Sequence, residues 1–159
     1  MLDLSVTEVE HYTDKLFRIK TERPRSFRYT AGEFVMISLP DAPKRAYSLT
    51  SGPYDDYLEF YSIKVQDGPL TSKLQHVVEG DKILVGDRPT GTLITANLAL
   101  GGDLWLLASG TGIAPFISLL RDPETFESFN NIHVTWLSLI HISEPTRPLY
   151  ISYAVFCLK

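Results

Sequence analysis

Residues 104–122 read LWLLASGTGIAPFISLLRD, and this stretch divides the chain into two kinds of structure. LWLLAS is a continuous apolar run, the pattern of a parallel strand covered on both faces; a half-exposed strand would alternate. GTG interrupts the run, and IAPFISLLRD then reads as a helix. A strand, a glycine loop and a helix in immediate succession suit a nucleotide-binding α/β sheet, because glycine lets backbone amides approach a phosphate closely. The loop is not the G-x-G-x-x-G fingerprint, since Pro115 stands in the third glycine's place, and a tight strand-to-helix turn would explain it equally well. NIHVTW, residues 131–136, reads as the next strand.

Upstream the pattern is different. VTEVEHY and KLFRIKT flank a turn at Thr13 and Asp14, and FVMISL, RAYSLTS and YLEFYSIKV follow with Gly, Pro and Asp between them. Leu58, Phe60 and Ser62 alternate with Glu59, Tyr61 and Ile63, and both sets carry apolar residues, as in a small barrel that also touches a ligand. One helix is predicted in GPLTSKLQHVVEGD, with Pro69 in its first turn, Leu70, Leu74, Val77 and Val78 on one side, and Gly80 as its stop. DKILVG, the turn PTGT and a strand-like LI come next. The boundary between the two kinds of structure falls near Asn97 to Asp103.

Composition narrows the function classes. The 159 residues are 44% apolar and 21% charged, enough for a packed core. A formal charge of -4 argues against a nucleic-acid or anionic-membrane partner for the chain as a whole. The start, MLDLSVTEVEHY, lacks the basic and apolar regions of a signal peptide, and no stretch approaches a transmembrane span, so a cytoplasmic protein is expected. The single cysteine, Cys157, offers no disulfide framework. His11, His76 and His133 fall on different elements without ligand spacing, and His141 belongs to the C-terminal tail; no metal site is expected.

Besides the glycine loop, two motifs carry chemistry. In RAYS, Arg45 to Ser48, a guanidinium can grip two phosphate oxygens, an aromatic two residues on shares its face, and a hydroxyl follows. Such a strand could hold a phosphate, stack a flat ring and hydrogen-bond the ring's edge. In GPLTSKL, Gly68 to Leu74, a glycine turn running into a helix leaves amides free for a diphosphate, with the hydroxyls of Thr71 and Ser72 beside them. Each motif alone is also compatible with ordinary strand surface or an ordinary helix start.

Their order is more specific. A barrel bearing RAYS, a helix opened by GPLT, the turn PTGTL and an α/β unit opened by GTGIAP resemble the ferredoxin–NADP reductase superfamily, and within it the bacterial enzymes. AGEFVMISLP, RAYSLTS, LEFYSIKVQDGPLTSKLQ, RPTGTLI and SGTGIAPFISLLRDPETFE carry the resemblance over roughly residues 5–130. It implies an antiparallel, Greek-key-like FAD-binding β-barrel with one helix, followed by an incomplete α/β nucleotide-binding domain. The implied activity is FAD-dependent electron transfer between NADPH and ferredoxin or flavodoxin, in a monomer.

The same resemblance implies roles for residues. Arg45 would bind the FAD diphosphate, Tyr47 would lie along the isoalloxazine with Ser48 near its N5 edge, and Ala46 would be small enough to let the ring close in. Tyr61 would contact the ribityl or adenine half, with Ile63, Lys64 and Val65 lining the strand beside it. Gly68 would make the turn, and Pro69, Leu70 and Thr71 would present backbone N–H groups to the diphosphate. Thr111 would sit beside the flavin near the nicotinamide's path. No side-chain general acid or base is required, because the flavin carries the chemistry. Lys44 and Arg88 are candidates for receiving an acidic electron carrier. Two rivals remain at this stage: the flavin reductase component of an oxygenase, and a non-enzymatic β-barrel binding module.

The tail has another character. The family would continue after NIHVTW with further strands, whereas LSLIHISEPTR, residues 137–147, resembles the conceptual translation of a transposase adapter used in sequencing libraries. ISYAVFCL, residues 151–158, resembles the flow-cell end of that oligonucleotide in the same frame, with Pro148, Leu149 and Tyr150 spanning the index. The expected organisation is therefore an FAD-binding barrel over 1–100, the truncated start of an NADP-binding domain over 101–136, and a non-native tail over 137–159. A two-stranded remnant with open edges, weak FAD binding and no NADPH turnover are expected of it.

Overall fold

A computed structural model describes residues 1–137 in full and the backbone of 138 and 152–157. β1 (Leu2–His11) and β2 (Leu16–Glu22) form a hairpin whose turn is fixed by Thr13, its Oγ1 accepting from the N–H groups of Lys15 and Leu16 at 3.1 and 2.9 Å. β3 (Phe34–Ser38), β4 (Arg45–Ser48), β5 (Tyr57–Ile63) and β6 (Lys82–Val85) complete a six-stranded antiparallel sheet in the order β4-β3-β6-β1-β2-β5.

The sheet curls until its two edges meet. Leu49 bridges Phe60, and the Thr50 N–H donates to the Glu59 carbonyl at 2.9 Å. Towards Arg45 the two edge strands diverge, and no ladder bond joins them there among the described residues. The interior follows from alternation: Phe17, Ile19 and Thr21 of β2 face Ser62, Phe60 and Leu58 of β5 in register, and all six are buried. Glu59, Tyr61 and Tyr57 take the other face.

The helix of the GPLT segment is shorter than predicted. α1 covers Thr71–Leu74 only; past it, His76 and Val77 donate three residues back, to Lys73 and Leu74. This tightening keeps Leu70, Leu74 and Val77 in the barrel core but turns Val78 out to solvent, 60% exposed. LI, predicted as strand, is not one: Thr90 bridges Phe34, and the chain then turns through a 3₁₀ segment at Thr95–Asn97.

β7 (Asp103–Ser109), a 3₁₀ turn at Gly110–Ile113, α2 (Ala114–Leu120), α3 (Pro123–Ser128) and β8 (Asn131–Ser138) form the second region, with β7 and β8 parallel. Sequence reading missed α3, although its capping is legible: Asp122 accepts from the Glu124 N–H at 3.1 Å and Pro123 occupies the first turn. Among the described residues, LWLLAS is covered on one face only. Leu104 and Leu106 pack against Ile113, Leu119 and Phe129, whereas Trp105 and Leu107 are 57% and 67% exposed, because both helices lie on the same side.

The expected two-stranded remnant has a third strand. β9 (Ser152–Cys157) runs antiparallel to β8, so the sheet order is β7-β8-β9. SYAVFC is rich in β-formers, which suit an unpaired strand edge whatever their origin. The rest of the adapter-like tail, from Leu139 to Ile151 and from Leu158 to Lys159, lies outside the described residues and takes His141 with it. Among the described residues, no helix is long and apolar enough to cross a membrane.

Candidate functional site

The divergence of β4 from β5 opens a cleft of about 400 Å³. Arg45, Ala46, Tyr47 and Ser48 line it from β4, and Tyr61, Ser62 and Ile63 line it from β5. Val65, Gly68, Pro69, Leu70 and Thr71 close one end, and Thr111 and Ala114 reach in from the second region. Every predicted site residue but one is there. The exception is Lys64, which follows the last β5 residue and lines a neighbouring hollow with Asp67, Ser72 and His76. Ser62 and Ala114 were not anticipated, though the alternation in LEFYS puts Ser62 on the inward face with Leu58 and Phe60, where it meets the Tyr47 hydroxyl.

Donors meet without acceptors at this cleft. Arg18, Arg23 and Arg121 are committed to carboxylates or carbonyls, whereas the exposed Arg45 donates only to the Lys44 carbonyl at 3.0 Å and has no carboxylate partner among the described residues. At the opening of α1, Ser72 and Leu74 donate to the Gly68 and Leu70 carbonyls, leaving the N–H groups of Leu70 and Thr71 without an acceptor among the described residues. Pro69, expected to be a donor, has no N–H; its part is to fix the backbone at the start of the turn. A guanidinium with no carboxylate partner and two unpaired amides fit the oxygens of a phosphate or diphosphate.

The turn that presents those amides is tight at Gly68, where a side chain would force Thr71 to shift. A Cβ on Gly68 would lie 2.2 Å from Thr71 Oγ1 and 3.2 Å from the Val65 carbonyl, to which the Gly68 N–H itself donates at 3.1 Å. The floor of the cleft is Tyr47. Its hydroxyl shares a hydrogen bond with Ser62 Oγ at 3.0 Å, joining the two diverging strands. Burial holds the Tyr47 phenol above its usual pKa, the Ser62 contact opposing only in part. The ring therefore stays neutral, a flat polarisable surface with its polar tip already satisfied.

Thr111 and Ala114 belong to the 3₁₀ turn and the first residue of α2, and the turn is tethered by Trp136 Nε1, which donates to the Gly110 carbonyl at 2.9 Å. His133 stacks on Trp105 at 4.1 Å and lies 3.5 Å from Asp103 Oδ2, and His11 lies against Phe17 at 5.5 Å.

The chain as a whole can be set beside known proteins. The profile of the FAD-binding domain family matches residues 1–110. Ferredoxin–NADP reductase A of Sorangium cellulosum is 55% identical over 134 residues, which take in 82% of this chain and 48% of the relative. Flavodoxin/ferredoxin–NADP reductase of Rhodobacter capsulatus is 52% identical over 132 residues, 80% of this chain and 49% of the relative. A solved ferredoxin NADP+ reductase from Neisseria gonorrhoeae with bound FAD and NADP is similar in fold at a TM-score of 0.79 and 35% identity, covering 82% of this chain and 55% of that one. This chain thus spans about half the length of the curated relatives it matches.

Proposed function

From the premise that the chain belongs to the FAD-binding domain family and is a homologue of bacterial ferredoxin–NADP reductases, we propose that the cleft between β4 and β5 seats FAD. One observation carries the reading: Arg45 and the free amides of Leu70 and Thr71, from separate elements, line the same cleft as the Tyr47 ring. Arg45, Leu70 and Thr71 hold the diphosphate, Tyr47 supports the flat ring from below with Ser62 bracing its hydroxyl, Ser48 supplies a hydroxyl at the ring's margin, and Tyr61 and Ile63 flank the remaining half. Bound there, FAD supplies two-electron exchange with a nicotinamide and one-electron exchange with a carrier. The neutral Tyr47 keeps a negative charge away from that ring, and Thr111 limits access from the second region.

The whole-length activity is NADPH-dependent reduction, or the reverse, of ferredoxin or flavodoxin, in a cytoplasmic monomer. Lys44 and Arg88 are candidate contacts for the acidic carrier. The domain organisation we propose is the one stated at the outset: a barrel over 1–100, the start of a nucleotide domain over 101–136, and a tail over 137–159 of adapter origin, which the coding sequence of the locus would test.

Titration of the chain with FAD, FMN and riboflavin tests the site. Replacing Arg45 by Ala removes one charge-assisted contact, about 1.5–3 kcal/mol, and so weakens FAD and FMN roughly tenfold to a hundredfold. Riboflavin, which lacks phosphate, binds equally to both proteins. Equal loss for all three ligands would remove Arg45 from phosphate recognition, and failure to bind any flavin would favour a plain binding barrel. NADPH oxidation with a dye acceptor is expected to be absent from this chain.

A further inference from the structure

Among the described residues, the most heavily buried charge lies outside the cleft. Glu59 sits on the outer face of β5, where a carboxylate would ordinarily meet water, yet it is fully buried. Its Oε1 accepts from Arg121 Nη1 at 2.8 Å and from Thr50 Oγ1 at 2.9 Å, while Arg18 Nη1 approaches Oε2 at 3.4 Å. Arg121 caps the C-terminal end of α2 and also donates to the Thr50 carbonyl at 3.1 Å. One turn earlier, the buried Ser118 donates to the Ser51 carbonyl at 2.7 Å. Between these contacts the backbones nearly touch: a Cβ on Gly52 would lie 3.0 Å from both the Arg121 Cβ and its carbonyl oxygen.

We infer that Glu59 and Arg121 are positioning residues that lock the second region onto the barrel and so set where Thr111 stands across the cleft. α2 is seven residues long, about 10 Å, and stiff over that length. Its last turn is pinned to Thr50, Ser51 and Glu59, and its first residue, Ala114, lines the cleft with Thr111. A tilt at the pinned end is carried to the other. An ion pair with Glu59 fully buried and the Arg121 side chain 34% exposed suits this task, since the Glu59 carboxylate left without its partner is costly, whereas apolar packing would tolerate sliding. The claim about Thr111's role rests on the flavin reading; the claim about the lock does not.

Spin labels on cysteines introduced at the exposed Glu79 and Glu127, with Cys157 replaced by Ser, report the distance between the regions directly and without cofactor. The parent gives one narrow distribution. Glu59→Gln and Arg121→Met each broaden it at least about twofold, since loosely joined domains move relative to each other by default, and Arg121→Lys regains part of the sharpness. Gly52→Ala, which leaves every charge in place, broadens it too and decides the matter if Glu59→Gln does not fold. In FAD-loaded protein the same variants change the visible circular dichroism of the flavin while FAD affinity stays within about twofold, because the diphosphate contacts are untouched. Unchanged distances in Glu59→Gln and Gly52→Ala, with the barrel's amide protection intact, would overturn the inference. Changed distances with no flavin bound in any variant would leave the lock standing and sink the cofactor reading instead.

Discussion

The barrel and the α/β region solve the problem of sheet edges and faces differently. The barrel brings its edges together at Leu49 and Phe60 and fills its interior with Phe17, Ile19, Ile37, Leu58 and Ile83, all buried to within 1% or better. Among the described residues the second region has one helical layer, and Trp105 and Leu107 stand open on its other face. It borrows stability from the barrel, through Ala31 in its core and through Ser118 and Arg121 at the junction. A self-contained unit and a dependent one should therefore respond unequally to equal damage.

The largest expected effect is in the barrel core. Phe60→Ala removes a fully buried ring and should cost about 3–5 kcal/mol, enough to unfold both regions together in urea. Leu119→Ala, equally buried but in the dependent region, should cost about 2–5 kcal/mol. Hydrogen exchange would show its loss confined to β7, α2, α3 and β8. Global loss of protection from Leu119→Ala would mean that the barrel leans on its neighbour as well.

A smaller effect lies at the junction's barrel side. Tyr29 shares a hydrogen bond with Ser51 Oγ at 2.9 Å and donates to the Gly52 carbonyl, so Tyr29→Phe should cost about 1–2 kcal/mol. Burial pushes its phenol up to about 12 from 10.0, the Ser51 contact opposing. The folded chain then keeps a proton that the unfolded chain gives up, so this contribution is whole below pH 10 and is lost as pH rises towards about 12. Unfolding curves across that window should fall less steeply for Tyr29→Phe. At the acid end the sign reverses: the Ser5 N–H holds the Glu22 carboxyl below its ordinary 4.5, so its contribution is present above that value and fades as pH falls below it.

The smallest effect separates covered from uncovered faces. Leu107→Glu should change stability by no more than about 0.5 kcal/mol and reduce self-association in light scattering. A large loss would show that the exposed face of β7 is covered in solution.

How legible all this was in the sequence depended on the range of the forces involved. The strands could be read because the alternation in LEFYS is a local signal, whereas RAYS and GPLT alone were ambiguous and the residues of the cleft were named from the family resemblance that their order carries. Val78 was misplaced because helical periodicity says nothing about where a helix tightens, and LI because a bridge to Phe34 at Thr90 overrides β-propensity. LWLLAS announced two buried faces, and only one found a cover. The lock was invisible: Glu59 and Arg121 are far apart in the chain and look like ordinary surface charges until β5 and α2 meet.

The most direct test of the central claim is a crystal structure of this chain grown with FAD. The account predicts the diphosphate between the Arg45 guanidinium and the amides of Leu70 and Thr71, with the isoalloxazine against Tyr47. A flavin bound with its diphosphate away from Arg45, or bound outside the β4–β5 cleft, would contradict it.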